Sequence, residues 1–276
     1  GMMTVDRLSE HARHLGGDDL ARRLPTAELP TELSGLVLTL NAALDRLQKS
    51  HQQLSDFNAD LAHELRTPLT NMIGETEVAL SRRRDEQDLC ATLQSNLEEL
   101  ERLRGMVNDM LLMARADAGE AGNFTRVNLA AECRRAVDFM EILFDEVGTT
   151  AVIEGDAEAD VERALFGRAL TNLLDNALKH GEPGGKVIVQ IDVEDDVAAV
   201  TVVNPGPAIP VDQLSKIFDR FFCGDPARAS NGHSHGLGLA IVAAVARIHG
   251  GDVHAENGDG VVKVGMTVQI REQVPG

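Results

Sequence analysis

A long run without helix-breaking residues is the feature that most constrains this chain. Neither Gly nor Pro occurs between Gly35 and Pro68, and apolar residues recur there at spacings of three and four, the period of one helix face. We therefore predict one continuous helix that starts near Leu33 and passes beyond Pro68. Pro68 removes the hydrogen-bond donor for the carbonyl of Glu64, so the sequence predicts a kink at that point.

His63 is the residue in this run with the most specific surroundings. It lies two positions from both Leu61 and Leu65, which belong to the apolar stripe, so at about 100° per residue it points away from the stripe toward solvent. A lone exposed histidine would be an incidental feature of a coiled-coil helix. Here the order H-E-L-R-T-P at residues 63–68 resembles the phospho-acceptor box of bacterial sensor histidine kinases, in which an exposed helical histidine takes the γ-phosphoryl group of ATP.

The resemblance implies roles for three residues of this box. His63 would attack the γ-phosphorus, and Glu64 would act as the general base for the imidazole proton. Thr67, one turn later, matches the position that orients water when the phosphorylated response regulator is dephosphorylated. Arg66 fits either a role in this chemistry or a surface charge.

A second long helix is predicted after a turn at Arg84–Glu86. Its apolar positions run from Leu89 to Ala114 in a heptad-like stripe. Two helices with apolar stripes cannot cover each other completely, whereas two copies of the hairpin can pack into a four-helix bundle. We therefore expect a homodimer.

The first 50 residues contain two further helical patterns around a polar turn. Gly16 to Asp19 breaks the first pattern, and Pro30 opens the second. This arrangement resembles the HAMP linker module, whose paired helices carry a signal from a membrane segment to a dimeric bundle. An ordinary dimerising coiled coil fits these residues equally well, and the sequence downstream favours the HAMP-like interpretation.

The composition limits the partners and the location of the chain. The formal net charge of the 276 residues is −18, which argues against nucleic acid as a partner because both molecules would be anionic. Aromatic residues make up 3%, which suits long helices packed through Leu, Ala and Val. The three separated cysteines indicate a reducing compartment. The sequence has no apolar run long enough to span a membrane and no signal peptide, so we expect a soluble chain, the cytoplasmic portion of an inner-membrane protein whose sensor and membrane region lie outside it.

A linker-like segment, A-G-E-A-G-N at 118–123, separates the helical region from a mixed α and β pattern. We predict a two-layer α/β sandwich there, with helices on one face of the sheet. The predicted helices cover Leu129 to about Val147, Asp160–His180, part of Val211–Phe222, and Gly238–Gly250. The predicted strands cover Ala151–Ile153, Lys186–Val193, Val197–Val203, Asp252–Ala255 and Val261–Ile270.

The helix that ends at His180 carries N-L-L-D-N-A-L-K-H at residues 172–180. Asn172, Asn176 and Lys179 (or His180) are spaced four and three apart and share one face, where amides and a lysine suit magnesium and a triphosphate better than a core. The run resembles the N-box of the ATPase superfamily that includes histidine kinases, gyrase, Hsp90 and MutL. The resemblance implies that Asn176 holds Mg²⁺, that Asn172 and Lys179 occupy accessory positions, and that His180 lies beside the nucleotide.

The segment V-N-P-G-P-A-I-P at 203–210 follows a predicted strand and resembles the first glycine box, usually D-x-G-x-G. Asn204 replaces the Asp that reads the adenine amino group, and Ala208 replaces the second Gly. Asparagine keeps an acceptor oxygen, so adenine recognition can survive the change although the charge is lost. The resemblance implies that Gly206 and Ile209 also contact the nucleotide.

Two more motifs follow in order. I-F-D-R-F-F at 217–222 resembles the F-box, whose Phe218 would pack under a lid over ATP, and Cys223 stands where a basic residue is common. S-H-G-L-G-L-A-I-V at 234–242 resembles the second glycine box, with Ser234 in place of a Gly. Backbone amides at the start of a helix can approach phosphates, so the resemblance implies nucleotide contacts at Gly236, Leu237, Gly238 and Leu239.

Taken in this order, the motifs resemble the cytoplasmic portion of a sensor histidine kinase, especially of the copper/silver heavy-metal subfamily. The implied domains are a HAMP-like segment at 1–50, a dimerisation and phosphotransfer hairpin at 51–118, and an ATP-binding domain of the gyrase/Hsp90/histidine-kinase type at 123–276. The implied function is autophosphorylation of His63 from ATP and Mg²⁺, transfer to an Asp of a response regulator, and dephosphorylation of that regulator.

Two other functions stay open on the residues alone. An ATPase clamp of the gyrase or Hsp90 kind would share the nucleotide motifs but would release free phosphate without using His63. A non-catalytic dimeric scaffold would explain the departures at Asn204, Ala208, Cys223 and Ser234, and it would bind no nucleotide.

Overall fold

A computed structural model describes residues 23–24, 31–81, 85–119, 122–224 and 236–270 of the chain. These residues belong to two compact units, 1–73 and 74–276. The first helical pattern predicted near the N-terminus lies outside the described residues.

The long helix predicted from the sequence is confirmed as α1, Thr31–Leu80, with Pro68 inside it. In the first unit, the segment before α1 is fastened to it by side chains of the helix. Leu24 is buried, and its backbone N–H and carbonyl are both hydrogen-bonded to the side-chain amide of Asn41, at 2.9 and 3.0 Å. Arg23 forms an ion pair with Asp45 at 2.6 Å.

The second predicted helix is confirmed as α2, Glu86–Asp117, in the second unit. Asp85 caps its first turn by accepting a hydrogen bond from the N–H of Asp88 at 2.8 Å, which satisfies one of the free donors at a helix start. One side of α2 is buried through Met106, Leu112 and Met113. Much of its predicted apolar stripe is instead exposed in the single chain, namely Leu89, Leu93, Leu97, Leu100, Val107 and Leu111.

The remainder of the second unit is the predicted α/β sandwich. Its helices are α3 Leu129–Phe139, α4 Glu141–Val147, α5 Arg163–His180 and α6 Gly238–Ile248. Its strands are β1 Thr125–Asn128, β2 Thr150–Glu154, β3 Glu158–Val161, β4 Lys186–Glu194, β5 Val197–Pro205, β6 Val253–Asn257 and β7 Val261–Gln269. Within the described residues, five strands form a sheet of order β2-β4-β5-β7-β6, parallel only between β2 and β4, and β1 pairs with β3 in a separate antiparallel ribbon.

The register of the sheet explains why one face carries the core. Val189 on β4 pairs with Val202 on β5, and Val202 pairs with Val264 on β7, so these side chains share one face. All three are nearly fully buried. The residues that face them from the helical layer are also buried, and they include Phe166, Leu170, Leu173, Leu174, Ile241 and Val245.

A buried histidine joins the end of α6 to the start of α5. His249 is 1% exposed, its Nε2 accepts a hydrogen bond from the N–H of Glu162 at 2.9 Å, and its Nδ1 lies 2.7 Å from the carbonyl of Val245. The two contacts together require the neutral tautomer with a proton on Nδ1, because the first nitrogen accepts and the second must donate. Both polar atoms of this core side chain are therefore satisfied.

The structure departs from the sequence prediction at three places. The helix predicted over Leu129 to about Val147 is broken at Met140, where the backbone leaves the helical region at φ −101° and ψ 9°. The start predicted for the next helix at Asp160 falls in strand β3, which pairs with β1, and α5 begins at Arg163. Residues 211–221 form a series of turns rather than a regular helix. No helix among the described residues is long and apolar enough to cross a membrane.

Candidate functional site

A cavity of about 690 Å³ opens in the second unit where α5, the loop after β5 and the start of α6 meet. Its wall contains residues from each of the four motifs predicted to bind nucleotide. The predicted residues in the wall are Asn172, Asn176, Lys179, His180, Asn204, Ile209, Gly236, Gly238 and Leu239. The folded chain thus brings together segments that lie far apart in the sequence.

Three predicted residues do not line this cavity. Gly206 lies in the loop after β5, and its N–H donates to the carbonyl of Gly260 at 3.3 Å. Phe218 lies beside the wall residue Ile217. Leu237 is buried and lines a neighbouring cavity of about 210 Å³ between α2 and the α/β layers.

The face of α5 supplies the polar wall of the larger cavity. Asn172 Nδ2 donates to the carbonyl of Arg168 at 2.9 Å, which leaves Oδ1 as an acceptor. Lys179 Nζ lies 2.6 Å from Asp175 Oδ2, one helical turn away. Asp175 is not among the residues predicted from the motifs, although an acid four residues before a lysine is a recognisable helical ion pair. Because Asp175 also lines the wall, the charge of Lys179 is partly compensated in the site.

The end of β5 supplies a buried amide. Asn204 is 4% exposed, and its Nδ2 donates to the carbonyl of Pro205 at 3.3 Å. Its Oδ1 is therefore the atom able to accept a hydrogen bond from a ligand. The loop that follows is held by Asn257 on β6, which bonds both the N–H and the carbonyl of Ile209, at 2.9 and 2.7 Å. No local motif indicates Asn257, because it is 48 residues away in sequence.

The residues Phe221 and Gly236, on the two sides of the segment 225–235, both have left-handed backbone conformations. Phe221 has φ 59°, an unusual value for a bulky residue, and its N–H donates to the carbonyl of Gly236 at 2.9 Å. Gly236 has φ +63°, and a Cβ atom there would lie 2.6 Å from the backbone of Phe221. Only glycine fits this position, both because of its φ and because of the close approach. The two flanks are thus joined next to the cavity wall.

Helix α6 begins at this junction. Leu237 is its N-cap residue, and this apolar side chain makes no capping hydrogen bond. Gly238 allows close packing, since a Cβ there would lie 3.0 Å from Asn172 Oδ1. The backbone N–H groups of a first helical turn and the positive end of the helix dipole attract anions, so this end of the cavity suits phosphate groups.

The predicted acceptor box lies in the first unit, on α1. His63 is exposed and Glu64 is half-buried. Thr67 Oγ1 donates to the carbonyl of His63 at 3.4 Å. The side chain of His63 is accessible to another molecule or domain.

One titratable group beside the smaller cavity has an altered pKa. Burial raises the pKa of Asp109, on α2, from 3.8 to about 6, and this effect outweighs the ion pair that Asp109 forms with Arg168. Arg102, Asp175 and Lys179 line the same cavity. Among the residues that the structure describes, no group of three or more His, Cys, Asp or Glu side chains forms a metal site.

Two family descriptions match this chain. Residues 53–119 match the His Kinase A (phospho-acceptor) domain. Residues 161–274 match the histidine kinase-, DNA gyrase B- and HSP90-like ATPase domain. The first range contains His63, and the second contains every predicted residue of the cavity wall.

Sequence similarity to known sensor proteins agrees with these domain matches. The sensor protein CzcS of Cupriavidus metallidurans is 40% identical over 252 residues, which is 91% of this chain and 53% of that protein. The sensor histidine kinase CusS of Escherichia coli K12 is 38% identical over 255 residues, which is 92% of this chain and 53% of that protein. This chain thus spans about half the length of these relatives.

The fold is also found in solved structures. The histidine kinase ThkA, solved in complex with the response regulator protein TrrA, superposes with a TM-score of 0.61 at 23% identity, covering 81% of this chain and 64% of that one. The two long helices, the α/β sandwich and the two domain matches all agree with the resemblance stated from the motifs. The chain contains the phospho-acceptor and ATPase domains of the histidine kinase family, and sensor histidine kinases are among its relatives.

Proposed function

We propose that this chain is the kinase core of a two-component sensor and that it transfers the γ-phosphoryl group of ATP to His63. The observation that carries the proposal is the cavity in the ATPase domain, whose wall combines the amides of α5, the buried Asn204 and the N-terminus of α6. Such a site offers acceptors for a base at one end and amide donors for phosphates at the other.

Mg²⁺ fits the residues of this wall. Hard cations prefer oxygen ligands, and the neutral amides of Asn172 and Asn176 lie on the same side of α5. We assign the direct contact to Asn176 and the accessory contact to Asn172, with phosphate oxygens completing the coordination. The bound ion would neutralise charge on the triphosphate.

The chemistry assigned to α1 is a phosphoryl transfer between a nucleotide and an imidazole. One ring nitrogen of His63 forms the N–P bond while the bond from the γ-phosphorus to the ADP oxygen breaks. The proton on the other ring nitrogen passes to Glu64, the adjacent carboxylate. Positioning and charge neutralisation supply most of the rate in reactions of this class.

The test is incubation with γ-labelled ATP and Mg²⁺, followed by acid treatment of the labelled protein. A phosphoramidate loses its label in acid, whereas phosphoserine does not. We expect acid-labile label on the parent and on His51→Gln, a control that changes an exposed histidine elsewhere on α1. We expect no label on His63→Gln or on Asn176→Ala.

Each of the other possible results would contradict the proposal in a different way. Label on His63→Gln would overturn the assignment of the acceptor. Free phosphate without any labelled protein would indicate an ATPase clamp of the gyrase or Hsp90 kind. Failure to bind nucleotide would indicate a dimeric scaffold without catalysis.

We also propose that the kinase core is a homodimer. The exposed leucines of α2 recur at spacings of four, four and three from Leu89 to Leu100, and each is at least 40% exposed in the single chain. A second hairpin packed against this stripe would bury it in a four-helix bundle. Light scattering should give the mass of two chains for the parent and of one chain for a Leu93→Lys, Leu97→Lys variant.

The second substrate that we assign is an aspartate of a response-regulator receiver domain. The exposed position of His63 leaves room for such a partner, and ThkA has been solved with the regulator TrrA. Thr67 is the residue to which we assign the positioning of water when the regulator is dephosphorylated.

For the parts around this core, we retain the division proposed from the sequence: a HAMP-like segment at 1–50, a phosphotransfer hairpin at 51–118 and an ATP-binding domain at 123–276. The fastening of Arg23 and Leu24 to α1 is what a signal-transmitting segment needs, because a loose connection would not pass on a displacement. We propose that a sensor region anchored in the inner membrane controls this core, and that its stimulus is a heavy-metal ion of the copper or silver type.

A further inference from the structure

Charged side chains join α2 to the ATP-binding layers in the second unit. Asp109 forms an ion pair with Arg168 at the start of α5, and Arg115 lies 3.7 Å from Glu162 just before that helix. The last residue of α2, Asp117, contacts two arginines. Its Oδ2 lies 2.5 Å from Arg220, and its Oδ1 lies 3.3 Å from Arg247.

Asp117 does not stabilise the helix that carries it. The C-terminal end of a helix is the negative end of its dipole, so a carboxylate in the last turn is unfavourable there. The residues that compensate its charge are both outside α2. The contact is therefore an interaction between α2 and the ATP-binding layers rather than a helix cap.

The two arginines belong to the two sides of the segment 225–235. Arg220 immediately precedes Phe221, whose left-handed backbone is bonded to Gly236. Phe222, Cys223 and Gly224 continue from there along the cavity wall. Arg247 lies in the last turn of α6, the helix whose first residues, Gly238 and Leu239, form the wall on the other side.

We infer that Asp117 is a positioning residue for nucleotide binding. By holding Arg220 and Arg247 on one carboxylate, it fixes both walls that flank the segment 225–235 relative to α2. This inference rests on the proposed function, because it takes the cavity to be the ATP site. Asp117 would thus act in nucleotide binding although it does not line the cavity.

The test is titration of the full chain with a fluorescent ATP analogue in the presence of Mg²⁺. Two partly exposed ion pairs together contribute about 1 kcal/mol, so we expect Asp117→Ala to raise the Kd roughly fivefold. The matched control is Glu101→Gln, which removes a carboxylate of α2 whose ion-pair partner in the described part of the chain is Arg104 of the same helix, at 4.0 Å. We expect its Kd to equal that of the parent.

A double-mutant cycle separates positioning from a general loss of stability. We expect Arg220→Gln to weaken binding, and we expect the double variant Asp117→Ala, Arg220→Gln to be no weaker than the worse single variant. In the labelling reaction, KM for ATP should rise by the same factor while the rate at saturating ATP stays within twofold of the parent. The free energy of unfolding should fall by no more than the contribution of these two ion pairs, because Asp117 is 45% exposed.

The inference would be overturned by an unchanged Kd in Asp117→Ala, or by additive losses in the double variant. Failure of the proposed function is recognised separately. In that case the parent would acquire no acid-labile label, whatever its affinity for the nucleotide analogue.

Discussion

The acceptor box on α1 and the cavity of the ATPase domain are built in opposite ways. His63, Glu64 and Thr67 lie within five consecutive residues of one helix, and the histidine is exposed. The cavity is assembled from residues between Asn172 and Val262, and it depends on the buried amide of Asn204 and on two left-handed backbone positions. A contiguous helical site tolerates changes around it, whereas an assembled site fails when one of its supports is altered.

The largest effect is expected at Gly236. Gly236→Ala would place a side chain at φ +63° and within 2.7 Å of Phe221, so we expect a loss of roughly 3 kcal/mol in the free energy of unfolding, together with loss of nucleotide binding. Denaturant unfolding and nucleotide titration measure the two effects. Normal binding by this variant would show that the junction of Phe221 and Gly236 does not support the site.

The buried carboxyl group of Asp109 should make the stability of the protein depend on pH. Its pKa is raised from 3.8 to about 6, so the folded protein holds this proton more tightly than the unfolded chain, and stability falls as pH rises between these values. The full cost of ionisation, about 3 kcal/mol, is present above pH 6. The difference in unfolding free energy between Asp109→Asn and the parent should therefore increase from pH 3.5 to pH 7. Parallel stability profiles over that range would contradict the assignment.

The contribution of the amide face of α5 to nucleotide affinity should depend on Mg²⁺. We expect Asn176→Ala to weaken nucleotide binding about tenfold with Mg²⁺, equivalent to about 1.4 kcal/mol, and much less when the ion is chelated. Calorimetric titration with and without EDTA measures the difference. Equal losses in both conditions would assign Asn176 to the nucleotide alone.

The smallest expected effect is an increase in stability, from a substitution at a glycine of the acceptor helix α1. A Cβ on Gly74 of α1 would meet no atom within 4 Å, and alanine is the better helix former. We expect Gly74→Ala to raise the free energy of unfolding by about 0.5–1 kcal/mol and to leave nucleotide affinity unchanged. A destabilised variant would indicate that this part of α1 is not a regular, open helix surface.

The same contrast explains what could be predicted from the sequence. The helices α1 and α2 were predictable because their apolar period and lack of breakers are local properties. The strands β4, β5 and β7 were predictable because their apolar alternation or runs are bounded by turns. For the candidate site, the four motifs indicated nine residues that line the cavity.

The remainder depends on contacts between distant residues. Strands β1 and β3 have four residues each and are stabilised by pairing across 30 or more positions, so neither has a local signal. The break at Met140 contains no Gly or Pro. Asn257 supports the loop at Ile209 only because the sheet brings β6 near it. The ion pairs of Asp117 with Arg220 and Arg247 span more than 100 residues and could not be foreseen.

The neighbours of Asp117 give this contact a consequence for signalling. Ala116 and Ala118 flank it, and neither carries a charge. Turning α2 about its axis by the angular step of one residue, about 100°, would present a methyl group to Arg220 and Arg247 instead of a carboxylate. In a helix turned by that step the carboxylate would no longer face Arg220 and Arg247, so both ion pairs would be lost together.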